Sequence, residues 1–419
     1  MILDGGGDED LLTSKKKMWQ KHELKDRYDV VIVGGGVHGL AIAYYLARRG
    51  ITDVAVLDKT YLGGGSSGRN TQIIRANYRT PECVRLYNEA LTEYEHLSQQ
   101  LEYNLLLDQM GHTTIAFTDT TVEVLRLRVE TNQALGVDSR LIWPNEIKDL
   151  YPAINLNGSR YPIVAALHHP RGGTVRHDAL VWGFAKAAER LGVEIHTHTE
   201  VTSISVKDHT VTGVTANGHN VKCNYVVNAT AGWASTVAKM VNLRLPIVTV
   251  PLQALVTEPV KSFMDGVIAG ADIDVYVYQS DRGEVITGSE LDPYSSYCFK
   301  GTFPTLELIS SITVELLPCL GNVNVLRQWA GICDMTPDFS PIMGEVPGIK
   351  GFILDVGWGT YGFKTAPASG IEVAQLIATG KPSDIMAPFS LTRFYENRLV
   401  DEKAAGVCLR PGRQYYYLQ

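Results

Sequence analysis

The chain has 419 residues, of which 45% are hydrophobic and 20% are charged, and its formal net charge is −7. This length predicts about two or three lobes, and the acidic balance argues against a non-specific nucleic-acid or anionic-membrane surface. No apolar run is long enough for a membrane span and no secretory signal is visible, so we expect a cytoplasmic protein. The 6 cysteines show no metal-ligand spacing, and no metal site is predicted.

The first regular pattern in the chain is the beginning of a βαβ unit. The apolar run Tyr28–Val33 predicts a strand buried on both faces of a parallel sheet. The residues after Gly39 have helical character, and Gly50 predicts the end of that helix. Val54–Leu57 predicts a second buried strand. Strand, helix and strand follow one another as in dinucleotide-binding domains.

The later patterns alternate between helical and strand-like stretches. Hydrophobic spacing predicts a mainly helical region, a helix, four short strands, a β-rich region and a final helix–strand–helix series. In chain order these are about 86–150, Asp178–Leu191, Glu194–His198, Val201–Val206, Val211–Val214, Tyr225–Asn228, Leu245–Gly288, about Leu306–Leu317, Gly351–Asp355 and about Ala366–Thr379.

A glycine motif lies between the first predicted strand and the first predicted helix. In Gly34-x-Gly36-x-x-Gly39, the three glycines suit a tight turn, close approach to a pyrophosphate, and packing of helix on strand. The helix N-terminus offers N–H donors and a positive dipole end to phosphates. Asp58, at the end of the second strand, can accept hydrogen bonds from a ribose. This motif by itself does not distinguish FAD from NAD.

A second segment favours FAD. The predicted strand Tyr225–Asn228 ends in the small-residue turn that contains Ala229, Gly232 and Trp233. Small residues at a strand end allow another part of the chain to approach a cofactor. The segment resembles a pattern found in FAD enzymes of the D-amino-acid oxidase and glutathione reductase type.

Longer segments resemble the β subunit of heterotetrameric sarcosine oxidase. The matches extend from about Tyr28 to about Glu402, nearly the whole chain. They comprise Gly34–Ala41, Gly63–Arg75, Arg171–Ala179, Met335–Gly344, Gly357–Lys364, Ala387–Ser390 and Arg393–Phe394.

The resemblance implies a D-amino-acid-oxidase-like fold. This is an α/β Rossmann-like FAD/NAD(P)-binding domain with an inserted α+β substrate domain on a mostly antiparallel sheet. We predict an N-terminal arm, an FAD-binding domain in three pieces, a substrate or partner domain in two pieces, and a C-terminal tail. The respective residues are 1–27; 28–90, 155–235 and 330–395; 91–154 and 236–329; and 396–419.

The resemblance also implies two flavins and several subunits. FAD is noncovalent and oxidises the amine, and sarcosine would give glycine and formaldehyde. Electrons then pass to FMN, which is covalently attached to the residue matching His177 and reacts with oxygen. His168 and His169 are competing attachment sites. The family complex adds a larger α subunit and small γ and δ subunits.

The candidate residues for chemistry are basic. A guanidinium can clamp a carboxylate bidentately, and the resemblance makes Arg69 a substrate contact, with Arg75 as the weaker candidate. Lys364 matches a lysine near the FAD ring that helps to hold the carboxylate and stabilises negative charge. No catalytic base is named, because the lone pair of the neutral amine drives hydride loss. Further candidates for cofactor binding are His38, Asn70, Thr71, Gly357, Gly359, Thr360, Gly362 and Phe363, and Arg69 and Lys364 are candidates for this role as well.

Three alternatives stay open at this point. The chain could be a proline, hydroxyproline or opine dehydrogenase that uses an acceptor other than oxygen, since a shared scaffold does not define the substrate. It could also be a nicotinamide-dependent dehydrogenase, or an assembly subunit that keeps FAD for stability. Tyr361 stands where the family commonly has glycine, which leaves the exact amine open, and Asp58 stands where many relatives have glutamate.

Overall fold

The computed structural model describes residues 20–403. Most of the predicted N-terminal arm and the part of the predicted tail after Lys403 lie outside the described residues. The described strands are β1 (Arg27–Val33), β2 (Val54–Leu57), β3 (Ile73–Ile74), β4 (His112–Ala116), β5 (Arg140–Ile142), β6 (Ala165–His169), β7 (Gly173–Thr174), β8 (Glu194–His196), β9 (Val201–Lys207), β10 (Thr210–Ala216), β11 (His219–Asn228), β12 (Val248–Pro259), β13 (Val267–Gly270), β14 (Val275–Gln279), β15 (Glu284–Leu291), β16 (Val325–Met335), β17 (Ile342–Glu345) and β18 (Phe352–Val356).

The α-helices of the same region connect these strands. They are α1 (Val37–Arg48), α2 (Pro81–Leu101), α3 (Asp119–Ala134), α4 (Pro144–Leu150), α5 (His177–Arg190), α6 (Ala234–Lys239), α7 (Phe303–Leu316) and α8 (Ala366–Thr379). Local chemistry explains where α2 begins and where α8 ends. Thr80 caps α2 by accepting a hydrogen bond from the Cys83 N–H, and Gly380 follows α8 in the left-handed conformation at φ +70°.

The first sheet has a parallel centre. β1 pairs in parallel with both β2 and β11, β8 extends the sheet beside β2, and β18 extends it beside β11. Alternate residues of β1 enter opposite cores: Val30 and Ile32 pack with α1, α2, α5 and α8, whereas Val31 and Val33 pack with α6 and the β9–β10 hairpin. This arrangement confirms the predicted Rossmann-like domain.

The second sheet is the predicted antiparallel one. Its order is β16-β12-β15-β14-β13-β4-β6-β5, and only the β13–β4 pair is parallel. Ile268, Val277 and Val285 on one face pack against Ile312 of α7 and Ile147 of α4. The opposite face carries Tyr276, Tyr278 and Trp329 toward the first sheet. The mostly antiparallel second domain is therefore confirmed.

The predicted bounds of helices and strands agree best with the structure where a few consecutive residues carry the pattern. β2 and α8 have the predicted bounds, and α5 differs by one residue at each end. The mainly helical prediction for 86–150 is incomplete, because β4 and β5 lie inside it. All five residues of β4 are buried, and so short a strand in the sheet interior has no alternation that distinguishes it from a helical turn. β6 pairs in the second sheet although its residues fall within 155–235.

Between residues 20 and 403, no helix combines the length and the apolar character that crossing a membrane requires.

Candidate active site

A cavity of about 460 Å³ lies at the carboxyl ends of β1, β2 and β11. Gly34, Asp58 and Ala229, which follow these three strands, form one side of it. The second sheet closes the opposite side with residues such as Tyr276 and Cys333. Ligands of parallel α/β sheets bind in the crevice beyond the carboxyl ends of the strands, so this is the expected place for a nucleotide.

Most of the residues predicted to bind cofactor line this cavity. They are Gly34, Gly36, His38, Asp58, Arg69, Asn70, Thr71, Ala229, Trp233, Gly359, Thr360, Gly362 and Phe363. Five other candidates lie outside the lining: Gly39, His177, Gly232, Gly357 and Lys364.

The glycine motif has the geometry that its spacing predicts. Gly34 has φ +115°, a conformation that side chains other than glycine rarely adopt. A Cβ on Gly39 would lie 1.9 Å from the carbonyl oxygen of Gly34, so glycine is required for α1 to pack on β1. Gly36 is the N-cap residue of α1, and the start of this helix therefore faces the cavity. The motif supplies a phosphate cradle.

Asp58 holds the glycine loop in place while it faces the cavity. One carboxylate oxygen accepts a hydrogen bond from the Gly35 N–H at 2.8 Å, and the other accepts from the Thr60 N–H at 2.7 Å. Its position at the end of β2 fits the predicted contact with a ribose.

His38 links the start of α1 to the loop after β18. Its Nδ1 lies 2.9 Å from the Asp355 carboxylate and its Nε2 lies 2.8 Å from the Gly362 carbonyl oxygen. Burial disfavours the charged imidazolium, but the Asp355 carboxylate opposes it and the pKa of His38 is raised above its usual value. The predicted cofactor residue thus also positions the 357–364 loop.

Arg69 lines the cavity, and its guanidinium already has protein partners. Nη1 donates to the carbonyl oxygens of Gly64 and Gly65, the latter at 2.9 Å. The guanidinium carbon lies 3.7 Å from the centroid of the Phe299 ring. These contacts hold the Arg69 side chain against the carbonyl groups of its own loop and against the Phe299 ring.

Arg75, the weaker candidate in the sequence, lies beside Lys364. The Tyr361 ring centroid is 5.9 Å from the Arg75 guanidinium carbon and 5.8 Å from Lys364 Nζ. Both side chains are buried, and neither forms an ion pair within residues 20–403. Burial, and then the charge of Arg75, lower the pKa of Lys364 to about 7. Two buried like charges that influence each other disfavour one another, and an anion near them would offset this repulsion.

Two neighbours of this pair escaped the sequence analysis. Asn77 and Tyr78 are fully buried, yet the Asn77 Nδ2 and the Tyr78 hydroxyl have no hydrogen-bond partner within the described residues. Arg75 Nη1 donates a hydrogen bond to Asn77 Oδ1 at 2.9 Å. The guanidinium carbon of Arg75 lies 4.2 Å from the centroid of the Tyr78 ring. Unpaired buried polar atoms are rare and indicate an absent ligand or water. Their position directly after the Gly63–Arg75 segment was the available signal.

His177 lies away from the cavity, at the start of α5. Its Nδ1 is buried without a hydrogen-bond partner within residues 20–403, and burial lowers its pKa, so the imidazole is neutral. The competing histidines are engaged: His168 Nδ1 lies 2.9 Å from the Thr113 hydroxyl, and His169 Nδ1 lies 2.6 Å from the Asp138 carbonyl oxygen. Of the three Nδ1 atoms, that of His177 is the one without a hydrogen-bond partner within the described residues.

The cavity fits FAD. The N-terminus of α1 faces it for the phosphates, Asp58 faces it for a ribose, and the second sheet presents Leu252, Ala254 and Tyr276 to a ring system. The indole nitrogen of Trp358, another lining residue, is buried without an acceptor in the described part of the chain. A dinucleotide with polar edges would use this arrangement.

Comparison with known proteins agrees with this assignment. The family described as FAD dependent oxidoreductase matches residues 29–376, and the chain belongs to that family. The glycine motif did not distinguish FAD from NAD, and the family match identifies the cofactor as FAD.

Within this family, the chain belongs with the sarcosine oxidase β subunits. It is 40% identical to sarcosine oxidase subunit beta of Rhodobacter capsulatus over 94% of this chain and 95% of the relative. It is 41% identical to sarcosine oxidase subunit beta of Rhizobium meliloti over 93% of each chain. Among solved structures, L-proline dehydrogenase from P. horikoshii is similar, with a TM-score of 0.85, 28% identity, and coverage of 90% of this chain and 100% of the other. The chain is an FAD-dependent amine oxidoreductase.

Proposed function

We propose that this chain oxidises sarcosine, or a closely related N-methyl amino acid, at FAD in the cavity beside β1 and β2. The observation that carries the proposal is the buried pair of Arg75 and Lys364, which has no acidic partner within residues 20–403. Relatives 40% and 41% identical to this chain are sarcosine oxidase β subunits. An α-amino acid presents the carboxylate that such a pair requires.

Arg75 and Lys364 hold the substrate carboxylate in this proposal. Lys364 directly follows Gly362 and Phe363, which line the cavity, so an anion held there lies next to the cofactor. The guanidinium of Arg75 orients the carboxylate, and the ammonium of Lys364 adds charge in a site without bulk water. Arg69, whose guanidinium bonds to Gly64 and Gly65, shapes the cavity wall instead.

FAD bound in the cavity would supply the oxidising chemistry, as the acceptor of a hydride equivalent from the carbon beside the amine. The protein's contribution is orientation and positive charge. Lys364 precedes α8, which begins at Ala366 with Pro367 in its first turn, so an ammonium and a helix N-terminus lie together. Both stabilise negative charge that develops at that side of the cavity. Carboxylate clamping also presents the amine in one orientation, which lowers the entropic part of the barrier.

His177 is the proposed attachment point of FMN, and a partner subunit covers it. Its neutral imidazole and unpaired Nδ1 suit a nucleophilic ring nitrogen. Leu106 and Met110 are exposed, and the Leu105 carbonyl accepts a hydrogen bond from the Arg176 N–H at 3.1 Å, so apolar surface borders this segment. Such a surface suits a larger α subunit, accompanied by γ and δ subunits as in the resembling complex.

Anaerobic mixing with candidate amines tests the substrate. The FAD-loaded protein is mixed with sarcosine, L-proline, hydroxyproline or an opine, and flavin bleaching is followed by absorbance. We expect sarcosine to reduce the flavin faster than the other amines at equal concentration. Faster bleaching by L-proline than by sarcosine would refute the substrate assignment and leave the FAD site intact.

L-proline oxidation is the second candidate. The similarity to L-proline dehydrogenase from P. horikoshii, with a TM-score of 0.85 and 28% identity, favours it. Proline is also a secondary amine with a carboxylate, so Arg75 and Lys364 would hold it equally well. The larger identity to the sarcosine oxidase β subunits gives sarcosine priority.

A further inference from the structure

A buried carboxylate of β16 organises the loop that follows β18. Asp334 lines the cavity and is 2% exposed, and no Lys or Arg pairs with it within residues 20–403. Its Oδ2 accepts a hydrogen bond from the Gly357 N–H at 2.6 Å, and its Oδ1 accepts from the Gly359 N–H at 3.2 Å. A buried charge is costly unless it is hydrogen-bonded, and these main-chain amides supply hydrogen bonds to the Asp334 carboxylate.

The two amides belong to a backbone that needs such support. Gly357 and Gly359, on either side of Trp358, have φ +73° and φ +55°, both in the left-handed region that favours glycine. A Cβ on Gly357 would lie 2.7 Å from Thr336, which leaves no room for another residue. Without the Asp334 carboxylate, the buried Gly357 N–H would lose its acceptor, and the Gly359 N–H would keep only the main-chain carbonyl oxygen of Asp334, which lies at 3.1 Å.

Trp358 is the residue that this turn presents to the cavity. It is 5% exposed, and its ring centroid lies 4.5 Å from that of His38. The indole N–H has no acceptor among residues 20–403, although the residue lines the cavity. A buried indole N–H normally finds a partner. A ligand bound in the cavity that Trp358 lines would be the group placed to supply this acceptor.

We propose that Trp358 donates its indole N–H to FAD and that Asp334 is the positioning residue that holds Trp358 in place through the amides of Gly357 and Gly359. Burial raises the pKa of Asp334 to about 6, so the carboxylate is ionised at neutral pH and accepts both amides. The proposal depends on FAD binding, which the family establishes, and is independent of which amine is oxidised.

A double-mutant cycle on FAD affinity tests this coupling. Asp334→Asn puts an amide N–H₂ against a backbone N–H, and Trp358→Phe removes only the donor and part of the ring. Apoprotein of each single variant and of the double variant is titrated with FAD without substrate, and the dissociation constant is read from flavin fluorescence. We expect each single change to weaken FAD binding roughly 3- to 10-fold. Because Asp334 acts through Trp358, the double variant should bind no more weakly than the weaker single variant.

Three results would overturn the proposal. Effects that multiply in the double variant would show that Asp334 does not act through Trp358. Unchanged FAD affinity in Trp358→Phe would exclude the indole donor, whether or not Asp334→Asn folds. Glu345→Gln is the matched control, because the Glu345 carboxylate accepts a hydrogen bond from the Gly351 N–H at 2.7 Å and lies outside the cavity lining; an equal loss of FAD affinity in this control would assign the effect to the general loss of a carboxylate–amide bond. If sarcosine fails to reduce the flavin while the cycle behaves as expected, only the substrate proposal fails.

Discussion

The guanidinium of Arg75 and the ammonium of Lys364 face the same ring, at 5.9 and 5.8 Å from the centroid of Tyr361. Both cations are buried, and the charge of Arg75 adds to burial in lowering the pKa of Lys364 to about 7. Such an arrangement is unfavourable in the protein alone, and an anion relieves it. The distance between the two residues along the chain hides this relationship in the sequence.

Arg75→Met and Lys364→Met should each raise the KM for sarcosine by about 10- to 100-fold, since a hydrogen bond to a charged group contributes about 1.5–3 kcal/mol. FAD should stay bound, because neither residue lines the cavity. Steady-state kinetics and the flavin content of the purified variants measure both effects.

Arg69→Met is the control for this pair. In the parent protein the guanidinium of Arg69 bonds to Gly64 and Gly65, and Arg69 lines the cavity. We therefore expect the variant to bind FAD more weakly, with little change in the KM for sarcosine at saturating FAD. A large increase of KM in Arg69→Met with none in Arg75→Met would return the substrate carboxylate to Arg69.

Affinity for methoxyacetate, which has a carboxylate but no amine, should fall as the pH rises through about 7. The pKa of Lys364 is lowered to about 7, so the ammonium is present below that pH and absent above it. The dissociation constant should rise by at most about tenfold per pH unit, because one proton is involved. In Lys364→Met this dependence should disappear; a profile that persists would mean that another group titrates.

The same shift predicts how stability depends on pH. Folding lowers the pKa of Lys364 from 10.5 to about 7, so the unfolded chain binds more protons between these values. This lysine therefore makes the stability of the protein rise with pH across that window. Lys364→Met should be more stable than the parent protein at pH 7, by about 1 kcal/mol or more, and the advantage should shrink toward pH 10.5. Urea unfolding at several pH values measures the difference, and a less stable variant at pH 7 would contradict it.

His177→Ala should remove flavin that stays in the pellet after acid precipitation and leave FAD in the supernatant. The imidazole of His177 is neutral with an unpaired Nδ1, whereas Nδ1 of His168 and His169 has partners at 2.9 and 2.6 Å. His169→Ala is the matched control and should keep the fixed flavin. The protein is prepared with its partner subunits, since FMN is proposed to lie at their interface. Absence of fixed flavin in the parent protein, or its persistence in His177→Ala, would contradict the attachment.

Arg393→Met should destabilise the fold by about 3–5 kcal/mol, because it leaves the Asp338 carboxylate buried and unpaired. Both residues are fully buried, and Arg393 donates to Asp338 at 2.8 and 3.0 Å through two nitrogens. Arg398→Met is the control: its partner Glu396 is solvent-exposed, and we expect no measurable change. Denaturant unfolding at saturating FAD compares the two, and equal losses would contradict the importance of the buried pair.

Local pattern was sufficient for the cofactor domain. The spacing of Gly34, Gly36 and Gly39 requires only a turn between a strand and a helix, and the structure places that turn at the cavity. The bounds of β2 and α8 agree with the apolar runs, because burial on both faces and helical periodicity are properties of a few consecutive residues. These same local features distinguish the dinucleotide fold.

Contacts between distant segments of the chain are visible only in the tertiary structure. The sequence favours Arg69 for the substrate, and that stays a prediction; only the structure shows that Arg69 bonds to its own loop and that Arg75 and Lys364 face the same ring. Asp334 belongs to β16 of the second sheet, and it accepts a hydrogen bond from Gly357, which follows β18 of the first sheet. The electrostatics of a buried charge depends on which groups surround it in space, and residues far apart in the chain become neighbours only when both sheets are assembled.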